Sequence, residues 1–196
     1  MYKINPQILS GPWDIGYTLD ELVVPNNQSG RQERTEIADA SYKLKFMEKH
    51  DLANTIAETI KTFMFNNPEF TNDIDCLVGI PPSNLKRDRQ PVIEICKSLS
   101  SQMNIDYTET LISKVIETPE IKDLDDSIRE QTIKGVFRIN NEELCKYQSI
   151  LIIDDLYSSG ATAKELVKEI RNNKKSLIIY LITLIKSDSA CMRTIN

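Results

Sequence analysis

The chain has 196 residues, 40% hydrophobic and 27% charged, with a net charge of −5. That length suits one domain, or one domain with a small appendage, and the composition is that of an ordinary soluble globular protein. The acidic balance argues against nucleic-acid binding over a broad face as the main activity, and no apolar run approaches the ~18 residues of a membrane span.

The four cysteines, Cys76, Cys96, Cys145 and Cys191, form no C-x-x-C pair and read as free thiols in a reducing compartment. The opening residues MYKINPQILS lack an apolar core long enough for a secretion signal, so a cytoplasmic location is expected. The only histidine, His50, has no metal-ligating partner at helical spacing and reads as a surface residue near a helix junction.

Residues 1–34 read as irregular. Pro6, Gly11-Pro12, Gly16, Pro25, Asn26-Asn27 and Ser29-Gly30 punctuate them every few positions. Trp13 and Tyr17 are candidate anchors, and Glu21 to Val24 is a candidate short strand. Two readings stand for this segment: an arm that packs on a neighbouring subunit, or a cover over a ligand site. Residues 35–196 read as the main domain. Ile37, Ala40, Leu44 and Met47 recur at helical spacing, and Leu52, Ile56, Ile60 and Phe63 do so again after an N-cap candidate at Asp51. Two helices, about 35–48 and 52–66, therefore precede the first core strand, DCLVGI at 75–80.

That strand runs into PPSNLKRDRQP. Lys86, Arg87 and Arg89 could meet a diphosphate through charge-assisted hydrogen bonds. The plain alternative is a solvated charge run at a helix start, although basic groups there oppose the helix dipole. Pro81 and Pro82 have no N–H, which leaves Ser83 and Asn84 as the backbone donors of this turn. A helix at about 90–102 and a strand at about 107–112 follow. Residues 115–134 are polar and charged, a long connection of the kind that is usually functional or mobile. GVFRI at 135–139 reads as a short strand.

The chain is organised around SILIIDDLYSSGAT at 149–162. Ile150 to Ile153 suit a strand covered on both faces. Asp154 and Asp155 follow at once, two carboxylates able to accept from a vicinal diol or face a hydrated Mg²⁺. Ser158, Ser159, Gly160, Ala161 and Thr162 then run into a helix at 161–172, offering hydroxyls, backbone N–H groups and the positive end of a helix dipole to a phosphate. The pattern describes a sugar-phosphate site; an ordinary βα turn with an Asp pair at a helix start is the plain alternative. A second apolar strand is expected at 177–185. Lys186 at its exit reads as surface or as a phosphate contact.

The run IIDDLYSSGAT resembles the phosphoribosyl pyrophosphate (PRPP) motif of type I phosphoribosyltransferases. YKLKF at 42–46, GIPPSNLKRDRQP at 79–91, and Lys114, Thr118-Pro119, Leu124, Arg129 and Gly135-Val136-Phe137 are similar in spacing to segments of the ComF-like branch of that family. The resemblance covers about residues 35–186. It implies an α/β fold of the type I phosphoribosyltransferase kind: a central, mostly parallel sheet flanked by helices, with a small N-terminal hood or arm. It implies transfer of a 5-phosphoribosyl group from PRPP to a nitrogenous acceptor, with Mg²⁺ bound through PRPP and Asp154 and Asp155 beside it. Those two carboxylates would hold the ribose, with Asp155 also a candidate general base. Residues Ser158 to Thr162 would hold the 5′-phosphate, and Ser83, Asn84, Lys86, Arg87, Lys114 and Arg129 the diphosphate. Arg129 and Lys114 would act when their loop closes. A homodimer is the default assembly. Two departures stand out: the N-terminal zinc-binding cysteines of the ComF branch are missing, and its basic segment ends here in DRQP. A PRPP-binding regulatory or interaction protein without transferase activity, and a ComF-like DNA-processing factor, are the alternative functions.

Overall fold

The computed structural model describes residues 1–24, 33–70, 74–82, 89–115 and 132–187. In chain order its elements are β1 (Gln7–Ile8), β2 (Ile15–Glu21), α1 (Glu36–Phe46), α2 (Leu52–Asn66), a 3-10 turn (Pro68–Phe70), β3 (Cys76–Gly79), α3 (Pro91–Met103), β4 (Asp106–Tyr107), β5 (Ile112–Lys114), β6 (Phe137–Ile139), α4 (Asn141–Leu144), β7 (Ser149–Tyr157), α5 (Ala161–Asn173) and β8 (Ile178–Lys186). One sheet runs in the order β1-β2-β8-β7-β3-β4, and β5 and β6 form a separate antiparallel pair. Only β1 is antiparallel in the main sheet. This is an α/β architecture with a mostly parallel central sheet and helices on both faces.

Two side-chain sets show why β7 and β8 sit at the centre. Leu151, Ile153, Tyr180 and Ile182 pack with residues of α1, α2 and α3, among them Ile37, Ile56, Ile60, Ile95 and Leu99. Ile150, Ile152, Ile179 and Leu181 pack on the other side with Leu166, Val167 and Ile170 of α5 and Phe137 of β6. Successive residues of a strand point to opposite faces, so only an all-apolar run can serve both layers. Each Ile or Leu so buried contributes roughly 1.5–3 kcal/mol relative to exposure.

The helices begin and end where local chemistry dictates. Thr35 caps α1, its Oγ1 accepting from the Ala38 N–H at 3.4 Å. Pro91 opens α3, a position where the missing N–H costs nothing, and Asn104 ends it in the left-handed conformation at φ 55°. Asp51, expected to cap α2, has helical φ and ψ and makes no side-chain cap bond. His50 is half-buried and lies 3.1 Å from Glu94 through Nδ1, tying the α1–α2 junction to α3.

Two expectations change. An arm or hood was expected over residues 1–34, yet Ile15–Glu21 is a strand of the main sheet, parallel to β8 from Ile15↔Tyr180 to Glu21↔Lys186. Trp13 makes this possible. Its ring lies over Gly11 and Gly16, where a Cβ would collide with it, and its Nε1 donates to the Leu9 carbonyl at 2.7 Å. The glycines that look like breakers therefore seat a tryptophan between two strands. Beyond the carboxyl end of β2 the described residues add a Val23↔Arg34 bridge and a Val24 N–H to Glu33 carbonyl bond of 2.8 Å. The second change concerns the strand expected at 107–112. It divides into β4, on the edge of the main sheet, and β5, in the separate pair. Between them the hydroxyls of Thr108 and Thr110 both donate to the Glu143 carboxylate.

Chain order places the functional edge. From β3 the chain passes through α3 to β4, away from β7; from β7 it passes through α5 to β8, away from β3. The two crossovers leave in opposite directions and cover opposite faces. The crevice beyond the carboxyl ends of β3 and β7 is thus the switch point, where open α/β sheets bind ligands. Among the described residues no helix is long and apolar enough to cross a membrane.

Candidate functional site

The carboxyl end of β7 carries the acidic pair. Pairing with β8 continues past the apolar run, with Asp154↔Thr183, Leu156↔Ile185 and Tyr157↔Lys186, so both carboxylates project from a strand and not from a loop. Asp154 Oδ1 accepts from the Asp155 N–H at 2.9 Å. Burial, and then the Asp155 charge, push the Asp154 carboxyl well above the usual carboxylate range. Asp155 forms an ion pair with Lys45 of α1. Lys114 of β5 lies close enough to Asp154 for their charges to act on each other. Its ammonium also sits 5.7 Å from the centre of the Phe137 ring, and burial lowers its pKa. Asp155 is therefore bonded to a lysine of α1, and Asp154 feels the charge of a lysine of β5.

The loop that follows is short. Gly160 is the N-cap of α5 with φ 75°, and a Cβ there would run into the Tyr157 ring. Only glycine meets both conditions without strain. Ser159 Oγ accepts from the Ala161 N–H at 3.4 Å, while its carbonyl accepts from Lys164 Nζ at 3.1 Å. Ser158, Ser159 and Thr162 are half-buried and Ala161 is buried. A helix N-terminus, three hydroxyls and a lysine thus surround one small turn, a setting suited to a phosphate. The Tyr157 ring also meets Trp13 edge-on with centroids 6.2 Å apart, so the β1–β2 turn buttresses this loop.

On the neighbouring strand, Gly79 lets α3 lie close: a Cβ there would come within 2.9 Å of Val92 Cγ1. The Ile80 N–H donates to the Ile153 carbonyl at 3.0 Å, holding the start of the Pro81-Pro82 turn against β7. Ser83, Asn84, Lys86, Arg87 and Arg129 lie outside the described residues. Arg89 is exposed and 3.7 Å from Glu94, a helix-start ion pair. Lys114 was expected on a closing loop; it stands instead in a strand, where the Asp154 charge acts on it.

Two cations were not singled out from the sequence. Lys45 lies in the YKLKF segment, but 110 positions separate it from Asp155 and nothing local pairs the two. Lys164 follows Gly160 by one helical turn, a signal that was there to be read. Among the described residues no group of three or more His, Cys, Asp or Glu side chains could hold a metal ion.

Neither a scan against models of known families nor a search of curated proteins finds a match for this chain.

Proposed function

We propose that this chain binds PRPP and transfers its 5-phosphoribosyl group to a nitrogenous acceptor, releasing pyrophosphate, on a fold of the type I phosphoribosyltransferase kind. The observation that carries this reading is the pair Asp154 and Asp155 at the switch point, followed directly by a glycine-capped helix N-terminus. Adjacent carboxylates are poor partners for a phosphate and good acceptors for two neighbouring hydroxyls. The turn beside them has the opposite character. A ligand that offers a diol to one and a phosphate to the other is a pentose 5-phosphate.

In the reaction, the C1–O bond to the diphosphate breaks and its electron pair leaves with pyrophosphate. The lone pair of the acceptor nitrogen forms the new bond to C1, and a nitrogen proton passes to solvent or to a carboxylate. The transition state has oxocarbenium character, as in glycoside cleavage. Asp154 and Asp155 fix the ribose hydroxyls, and Ser158 to Thr162 with Lys164 fix the phosphate. Lys114 offsets charge at the carboxylate pair. Asp155 already holds Lys45, which leaves Asp154, its proton affinity raised by burial and by the Asp155 charge, as the better general base of the two.

Magnesium fits only as part of a substrate complex. Two carboxylates beside a diphosphate match the way Mg²⁺ is held, by one or two carboxylates plus substrate oxygens. When bound it neutralises charge on the diphosphate.

The test is pyrophosphate release from PRPP with a panel of nitrogen bases. Release that needs a base and disappears in the Asp154→Asn, Asp155→Asn double variant is expected. PRPP binding that is unaltered in that variant would remove the reading.

A further inference from the structure

A pair of carboxylates is an unfavourable neighbour for a ligand as anionic as PRPP. At about 4 Å, two like charges repel by roughly 4 kcal/mol at the effective dielectric of a protein surface. A further cation beside the acidic pair reduces that repulsion. Lys45 is placed for that. It lies in the last turn of α1, 24% exposed, and its ammonium is bonded to Asp155, which is 19% exposed. Its neighbour Lys43 pairs within the helix, with Asp39 at 2.6 Å, as surface lysines commonly do. Lys45 reaches across to the sheet edge instead.

Building on the PRPP reading above, we propose that Lys45 is a substrate-binding residue: its ammonium neutralises Asp155 in the free protein and turns to the diphosphate when PRPP binds. Of the two ribose hydroxyls that the acidic pair would accept from, the 2-hydroxyl is on the carbon bonded to C1, which carries the diphosphate. An ammonium within hydrogen-bond reach of Asp155 needs only a rotation of its four-carbon stem to find that group. Its three donors allow it to keep one bond to the carboxylate while it does so. A lysine that merely complements the α1 dipole would have no reason to discriminate between ligands.

The experiment is calorimetry of wild type, Lys45→Met, Lys45→Gln and Lys45→Arg with two ligands, Mg²⁺–PRPP and ribose 5-phosphate. The second has the diol and the 5-phosphate but no diphosphate. Lys45→Met and Lys45→Gln are expected to weaken PRPP at least about tenfold and ribose 5-phosphate less than about twofold, with Lys45→Arg restoring most of the PRPP affinity. Equal losses on both ligands, or no loss, would overturn the role of Lys45 and leave the PRPP site standing. A wild type that binds neither ligand would overturn both.

Discussion

The two ends of the same sheet treat aspartates differently. At the amino edge, Asp75 accepts from the Gln148 and Ser149 N–H groups at 2.6 and 3.0 Å. Asp14 accepts there from the Ile179 N–H at 2.8 Å and from Arg171 at 2.6 Å. Donors from the backbone of another strand or turn, joined at Asp14 by Arg171, hold these carboxylates and stitch strands to turns. At the carboxyl edge, Asp155 is bonded to Lys45, a group on a long stem that can let go, while Asp154 accepts from the N–H of its own neighbour and feels the Lys114 charge. A carboxylate held by backbone is part of the fold. One balanced by a flexible cation is available to a ligand.

The sharpest way to break this contrast is to remove a carboxylate at each edge. Asp154→Asn with Asp155→Asn is expected to abolish PRPP binding, a loss of at least about 100-fold for two charge-assisted contacts, while the circular dichroism spectrum stays that of the wild type. Asp75→Ala should do the reverse. Two charge-assisted bonds to backbone disappear, so denaturant unfolding should report about 2 kcal/mol less stability, with PRPP affinity of the folded protein unchanged within about twofold. A D75A protein that keeps its stability but loses PRPP would erase the distinction between the two edges.

Gly160→Ala comes next in size. The left-handed φ and the collision with Tyr157 together should cost about 1–3 kcal/mol of stability, read by the same unfolding curve. PRPP binding should fall with it, because the turn that receives the phosphate is displaced.

The smallest effect is a pH dependence. The Asp154 carboxyl has a folded-state pKa raised by burial and by Asp155. Between the ordinary carboxylate range and that value the folded chain binds the extra proton and the unfolded chain does not. Stability from this group is therefore present at low pH and is lost as pH rises through that window. Asp154→Asn alone should raise the melting temperature of the free protein at pH 8 by at least about 2 °C, with the gain shrinking toward zero near pH 4. A gain that does not change with pH would mean that the carboxylate is not the cause.

Much of this arrangement was legible in the chain. An apolar run, two acids, a hydroxylic turn and a helix register specify β7, the pair and α5 locally, and the structure has them in that order. The extension of β7 through Tyr157 was not legible, because it depends on β8 continuing alongside. Strand β2 was hidden by Gly11, Pro12 and Gly16, which read as breakers until Trp13 is seen to occupy the space that they leave. The alternation of Ile15, Tyr17 and Leu19 with Gly16, Thr18 and Asp20 was the signal available. Lys45 was beyond reach, since its partner is set by the packing of α1 on the sheet.

The most direct measurement is calorimetric titration of PRPP into the purified protein, with and without Mg²⁺. Binding that needs Mg²⁺ and vanishes in the Asp154→Asn, Asp155→Asn variant is the expected result. No binding by the wild type in the presence of Mg²⁺, or equal binding by the variant, would contradict the assignment of this sheet edge as a PRPP site.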